Sequence, residues 1–275
     1  MASRFELWIG RRYVRSRSGN RFVSMISAIS MLGIAIAVAV LIVVLSVVNG
    51  FEQELRLRLL AMSAHATIES PEGELRGWRD QRRQAAGQPG VIAAAPYVEG
   101  QGLLIYENRL TGAELRGIDP ELEDAVSGVA DLTIAGEMAS LTPGSFGMVL
   151  GVALAEHLGA ELGDKVTVTL AEGIVTPVGV VPRTKRFTVT GIYRVGMYEF
   201  DRRLAFVNMD DAQRLYRLGD SVSGIRLAVS NVYRAPVIVR EVALALGEPV
   251  LVSDWTRQHV NFFRSIQITK SILFV

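Results

Sequence analysis

The chain has 275 residues, 49% of them hydrophobic, with 29 basic against 28 acidic side chains, a formal net charge of +1 and no cysteine. That length suits one membrane segment with one or two folded domains, and the absence of cysteine excludes disulfides, thiol chemistry and a cysteine zinc site. The mean hydropathy, +0.29, is high for a soluble protein, and the excess is concentrated in one stretch near the N-terminus.

Residues 1–20 precede that stretch. Arg4, Arg11, Arg12, Arg15, Arg17 and Arg21 stand against one acid, Glu6, giving +5 over 21 residues and leaving −4 for the rest. The segment "RFELWIGRRYV" is read as a short helix on the cytoplasmic membrane face. In that reading the apolar Phe5, Trp8, Ile9 and Tyr13 are expected to enter the membrane face and the arginines to meet anionic headgroups. A disordered basic leader is the alternative.

From Phe22 to Phe51 no residue is charged. A membrane helix needs about 20 apolar residues, and a signal-peptide core has about 15 or fewer. The run therefore predicts a transmembrane helix that stays in place, since no small-residue cleavage site follows a short core. At about 1.5 Å per residue it exceeds the bilayer core, so it tilts or rises out as a stalk. Phe51, Leu55, Leu59 and Met62 continue at helical spacing and favour the stalk. The basic flank stays in the cytoplasm, which places everything after Gly50 outside. Ser24, Ser27, Ser30, Gly33 and Ala37 form a small-residue stripe along which another helix could approach closely.

The outer portion alternates strands and helices, predicting an α+β domain with strand-helix-strand units over residues 63–258. Residues 66–70 read as a strand, "PEGELRGWRDQRRQAAG" as a polar helix ending at glycine, and "VIAAAPYVEGQGLLIYENRLTGAELRGIDP" as two or three strands. "SFGMVLGVALAEHLGAELGDKVTVTL" runs strand, helix, turn, strand. "RFTVTGIYRVGMYEFDRRLAFVNM" reads as a strand pair, "DDAQRLYRL" as a helix with an aspartate cap, and "GIRLAVS", "YRAPVIVREVALALG" and "PVLVS" as strand, helix and strand. Residues 259–275 turn apolar at Ile272. They read as a stalk leading into the first turn of a second membrane helix, or else as a short amphipathic tail.

The search for chemistry finds no catalytic set, no metal set and no cofactor motif. His65, His157 and His259 are isolated. Ser253 and Asp254 have no nearby base. The acids of "ELED" (121–124) read as a solvated helix start, and Glu199 and Asp201 beside Arg202 and Arg203 as a salt-bridge cluster at a strand turn. Hydrolase signatures and phosphate-binding loops do not occur.

One segment stands out. Between a strand at 166–170 and another at 187–193, about sixteen residues intervene where a hairpin could close with two. They carry Val175, Thr176, Pro177, Val178, Gly179, Val180, Val181 and Pro182, then the bases Arg183, Lys185 and Arg186. Long ordered loops are usually functional. Apolar tips want a partner pocket and a basic root wants an acidic rim. The segment reads as a protein-docking arm, with a loop folded onto its own domain as the alternative.

"NRFVSMISAISMLGIAIAVAVLIVVLSVVNGFEQELRLRLL", "RGIDP", "VLGVALAEHLGAELGD" and "TPVGVVPRTKRFTVTGIY" resemble the LolC/LolE family, permeases of the lipoprotein-releasing ABC transporter within the MacB-type superfamily. The resemblance covers essentially the whole chain. It implies a MacB-like periplasmic domain on an N-terminal transmembrane helix, with residues 259–275 entering a second helix that is cut short. It also implies four kinds of partner in an inner membrane: a LolD-like ATPase, a second permease that is LolE-like or identical, a LolA-like periplasmic carrier, and a triacylated lipoprotein as cargo. No nucleic acid is implied, and ATP hydrolysis belongs to the separate ATPase. In LolC-type members a protruding hairpin captures the carrier, and Thr176, Pro177, Gly179, Pro182 and Phe187 match it, so the chain is similar to LolC or to the merged LolF type. Gly33, Ala37, Leu41, Val44, Val48 and Phe51 are the candidates for helix packing and for lining the lipoprotein cavity. A MacB-type efflux permease and a membrane-anchored sensor or scaffold are the rival readings.

Overall fold

The computed structural model of the chain describes residues 21–62, 64–176 and 179–255. The expected interfacial helix at 1–20 and the expected start of a second membrane helix at 259–275 lie outside the described residues. The chain divides into two units, Met1–Leu55 and Arg56–Val275.

Helix α1 runs without a break over Arg21–Met62, so the helical spacing expected past Gly50 does continue the helix. Its segment Met25–Gly50 is long and apolar enough to cross a membrane. The apolar side chains there are open to the surroundings, among them Ile34, Leu41, Ile42 and Val47. Such exposure is costly in water and costs nothing in lipid.

The second unit holds a ten-stranded mixed sheet. Its elements are β1 (Ala66–Glu69), α2 (Trp78–Ala86), β2 (Val91–Tyr106), β3 (Arg109–Ile118), α3 (Pro120–Asp124), β4 (Thr133–Gly136), β5 (Gly147–Gly151), α4 (Val152–Leu158), β6 (Lys165–Thr176), β7 (Gly179–Tyr193), α5 (Tyr198–Arg203), β8 (Leu204–Asn208), α6 (Met209–Tyr216), β9 (Gly224–Val229), α7 (Ala235–Leu246) and β10 (Leu251–Asp254). The strand order is β10-β1-β9-β2-β3-β8-β5-β7-β4, with β6 pairing β2 and β7. Most neighbours are antiparallel, but β3–β8 and β5–β7 are parallel.

The strands read as one pair, β7 and β8, do not pair with each other. Helix α5 separates them, and β8 lies between β3 and β5. Sequence neighbours can part in this way because a helix reverses the chain as well as a turn does.

Alternation sets what each face of the sheet buries. Leu115, Val98, Leu104, Ile225 and Leu227 join Ala212 and Leu215 of α6, Trp78 and Ala85 of α2, and Ile238, Val239 and Val242 of α7 in the main core. Helix α6 comes very close to β3. A Cβ added at Gly117 would lie 2.4 Å from Ala212 Cβ, so only glycine lets this helix seat. A second core of Ile118, Val149, Tyr193, Leu204 and Phe206 forms from the alternate residues. Helix α6 is capped by Asn208, whose side chain accepts from the Asp210 N–H. The cap is thus one residue type and two positions away from the aspartate expected in "DDAQRLYRL". Asp211 is drawn inward instead.

Candidate functional site

Of the sixteen residues expected as a loop, those described are strand. β6 continues to Thr176 and β7 starts at Gly179, leaving only 177–178 between them. The register runs Lys165 opposite Thr188, Val166 opposite Phe187, and so on to Thr169 opposite Thr184. It resumes after an irregularity with Gly173 opposite Pro182, Ile174 opposite Val181, Val175 opposite Val180 and Thr176 opposite Gly179. Pro182 does not hold an open loop apart. It sits in the ribbon, where a residue without an N–H is tolerated because the strand has an edge. Pro177 and Val178 lie outside the described residues.

The ribbon's root and its far end are built differently. At the root, β6 also pairs β2 through 167–169, and β7 also pairs β5 and β4. Val166, Val168, Leu170, Phe187 and Val189 are buried there. From Gly173 to Pro182 the ribbon's strand pairing is with itself alone among the described residues.

The three cations expected as a basic root differ in their surroundings. Arg183 is half-buried and Nη1 donates to the Tyr216 carbonyl across a long 3.5 Å. Lys185 Nζ lies 3.6 Å from the centre of the Phe146 ring. Arg186 is exposed on the opposite face of β7, level with Thr167. It lines a shallow depression of roughly 410 Å³ with Lys165, Thr184, Thr188 and Ser145. Lys165 was missed by sequence reading. Its signal was the alternation Lys-x-Thr-x-Thr against Thr-x-Arg-x-Thr, which stacks hydroxyls and cations on one face. Phe146 and Asp211 were missed too, and no local pattern pointed to them.

The other charged region is internal. Arg226 and Glu123, both almost fully buried, form an ion pair, and Ser127 Oγ donates to the same carboxylate at 2.7 Å. Glu123 is therefore not on a solvated helix start, as "ELED" suggested, because a partner about a hundred residues away draws it in. Arg116 bridges Glu114 at 2.7 Å and Glu99 at 3.3 Å. Burial raises the Glu114 carboxyl above its usual range, against the pull of Arg116. Glu99, Glu114, Arg116 and Arg226 line a cleft of roughly 560 Å³ with Glu69 and Tyr97. Arg226 is tied to Glu123, and Arg116 to Glu114 and Glu99, so these charges are engaged within the fold, which makes the seam a structural one. The acid Asp201 likewise belongs to no salt-bridge cluster among the described residues. It is buried and accepts from the Val195 and Gly196 N–H groups.

His65 Nδ1 accepts from the Val229 N–H at 2.9 Å. His157 ends α4. Among the described residues no group of three or more His, Asp or Glu could hold a metal ion. On α1, nothing lies within 4 Å of where a Cβ on Gly33 would sit, and Leu41 and Val44 are exposed.

A family model described as the MacB-like periplasmic core domain matches residues 27–243. The chain belongs to that family. Its α+β sheet unit, with an apolar helix ahead of it, is the family's domain. The chain is 43% identical over 271 residues to the lipoprotein-releasing system transmembrane protein LolC of Neisseria meningitidis serogroup B, covering 98% of this chain and 65% of that protein. It is 44% identical over 265 residues to LolC of Xylella fastidiosa strain 9a5c, covering 96% and 64%. It is 26% identical over 273 residues to LolE of Haemophilus influenzae, covering 98% and 65%. The chain thus spans a little under two thirds of the length of these relatives. Among solved structures, the periplasmic region of MacB from Actinobacillus actinomycetemcomitans matches with a TM-score of 0.46 at 14% identity, covering 74% of this chain and 95% of that one. The extracellular domain of the transporter YknZ from Gram-positive bacteria matches with a TM-score of 0.46 at 13% identity, covering 68% and 97%.

Proposed function

We propose that this protein is a permease subunit of a lipoprotein-releasing ABC transporter, and that its β6–β7 hairpin hands the cargo on by docking a periplasmic carrier. The observation that carries the reading is the similarity to LolC proteins at 43% and 44% identity over nearly the whole chain. Within Haemophilus influenzae, LolE and LolC stand level at 26% and 28%, so the LolC-type role rests on the hairpin and on the Neisseria and Xylella relatives.

The hairpin suits the task physically. A paired ribbon loses little entropy on docking, because its backbone is already ordered. Val175, Val178, Val180 and Val181, with Thr176, Pro177, Gly179 and Pro182, make the far end of the segment apolar in sequence. Arg186, with Arg183 and Lys185 nearby, supplies a positive root for a carrier with an acidic rim.

In this reading α1 crosses the inner membrane, and the basic leader keeps the N-terminus in the cytoplasm. Gly33 and Ala37 let a neighbouring helix approach. Leu41, Val44, Val48 and Phe51 border the cavity that admits a triacylated lipoprotein. A LolD-like ATPase supplies the energy, and a LolE-like or identical permease completes the pair, so this chain performs no chemistry of its own.

The test is capture. The chain, in detergent and immobilised, is exposed to a purified LolA-type lipoprotein carrier. Retention that is lost on Val178→Asp supports the reading. No retention of the carrier by the unaltered chain refutes it.

A further inference from the structure

The segment 141–146, just ahead of β5, is pinned by helix α6 with unusual care. Asn208 Nδ2 donates to the Leu141 carbonyl at 2.9 Å. Asp211, fully buried, accepts from both the Gly144 and the Phe146 N–H groups at 2.9 Å. Phe146 is held at φ 50°, in the left-handed region that residues with a Cβ seldom adopt. Its carbonyl accepts from the Thr188 N–H at 2.9 Å. Its ring stands edge-on to Phe187 at 5.5 Å and beneath Lys185 Nζ at 3.6 Å. The last carbonyl of the same helix, Tyr216, receives Arg183. Helix α6 therefore holds residues 183–188 of β7 from both of its ends, directly below the point where the ribbon leaves the sheet.

A two-stranded ribbon that pairs only with itself has little stability of its own. Its direction must come from the root. From Pro182 to the tip is roughly 17 Å at about 3.3 Å per residue, so a 10° rotation at the root moves the tip by roughly 3 Å. A strained residue is retained only where its surroundings over-determine it, and such places are often functional. Phe146 is in that position, where glycine would meet no strain.

We propose that the 141–146 segment, anchored by Asp211 and presenting Phe146, sets the direction in which the hairpin projects. Lys185 is then a positioning residue that acts through the Phe146 ring, and Arg186 and Lys165 are the charges left to meet a partner. The effect on carrier capture rests on the docking reading above; the effect on direction does not.

The absence of cysteine allows two spin labels to be placed without background, at Thr176→Cys on the ribbon and Glu241→Cys on the exposed side of α7. Distances are measured in the 275-residue chain in detergent. A narrow distribution is expected for the parent and for Phe146→Tyr, and a clearly broader or shifted one for Phe146→Leu and Lys185→Met. The double variant should be no broader than Phe146→Leu alone, since that change already removes the contact with Lys185. Leucine keeps the Cβ and the backbone geometry, and Lys185→Met touches no buried side chain, so one decisive comparison survives even if Phe146→Leu lowers stability. Unchanged distributions in Lys185→Met and in a folded Phe146→Leu would overturn the proposal. With a purified LolA-type carrier as probe, Phe146→Leu should weaken capture by about two- to fivefold, the scale of an exposed cation–π contact. If the parent captures no carrier, the docking reading falls, while the distance measurement still decides what sets the hairpin's direction.

Discussion

The β6–β7 ribbon is one continuous pair of strands with two physically different halves. Its root shares ladders with β2, β4 and β5 and buries Val166, Val168, Phe187 and Val189 in the main core. Its far half, Gly173–Pro182, pairs only with its own partner strand among the described residues. The same backbone thus serves the fold at one end and, in the reading proposed here, a partner at the other. Stability and capture should separate along its length, and the two halves can be tested independently.

The largest effect belongs to the root. Phe187→Ala empties a fully buried site and should cost about 3–5 kcal/mol of stability. That corresponds to a melting temperature lower by about 10 °C in a domain of this size. Thermal unfolding followed by circular dichroism checks it, and an unchanged melting temperature would erase the contrast between the halves. Next comes the far half. Val178→Asp should cost about 2 kcal/mol in carrier affinity, roughly thirtyfold, because it places a charge in an apolar contact. Titration at low and high salt should give the same loss, with the melting temperature unmoved.

A smaller effect is expected at the boundary. Arg186→Ala should weaken capture a few-fold at low salt, and the loss should fade as salt rises, as for a rim charge. Association rates at two ionic strengths decide this; a salt-independent loss would mean that Arg186 is buried on docking.

The smallest effect lies away from the ribbon. Burial holds the His65 imidazole below its ordinary value near 6.5, and its Nδ1 can accept the Val229 N–H only when unprotonated. The unfolded chain therefore takes up the proton first as pH falls. Stability should be fully present above pH 6.5 and decline below it. His65→Gln should flatten that part of the pH dependence and leave carrier capture unaltered. A slope that persists in the variant would point to another group.

Local patterns revealed the elements better than their arrangement. The alternation of Val166 and Val168 with Lys165 and Thr167 announces a half-buried strand, and Gly87, Gly159 and Gly247 mark helix ends. The ribbon's outward course was harder to read. Gly173, Gly179 and two prolines within sixteen residues look like loop, yet the register in the structure carries strand through Gly173, Gly179 and Pro182. Pairings over long sequence distances were hidden altogether. Nothing in "ELED" indicates that Glu123 is drawn inward by Arg226, and nothing in "SFGMVL" indicates that Phe146 takes a left-handed conformation because Asp211 claims its N–H. The β6–β7 ribbon was visible as an anomaly of length and composition. What supports its root was not, because that support comes from α6, a helix that looks ordinary in sequence.

The most direct test replaces residues 174–181 with a two-residue Asn-Gly turn, which closes the ribbon early with a favoured hairpin connection. Melting temperature and capture of a purified LolA-type carrier are measured on the same preparation. The account predicts a melting temperature within about 2 °C of the parent, since surface changes away from the core seldom exceed about 0.5 kcal/mol, together with loss of capture. A shortened chain that is folded and still retains the carrier, or one that no longer folds, would contradict it.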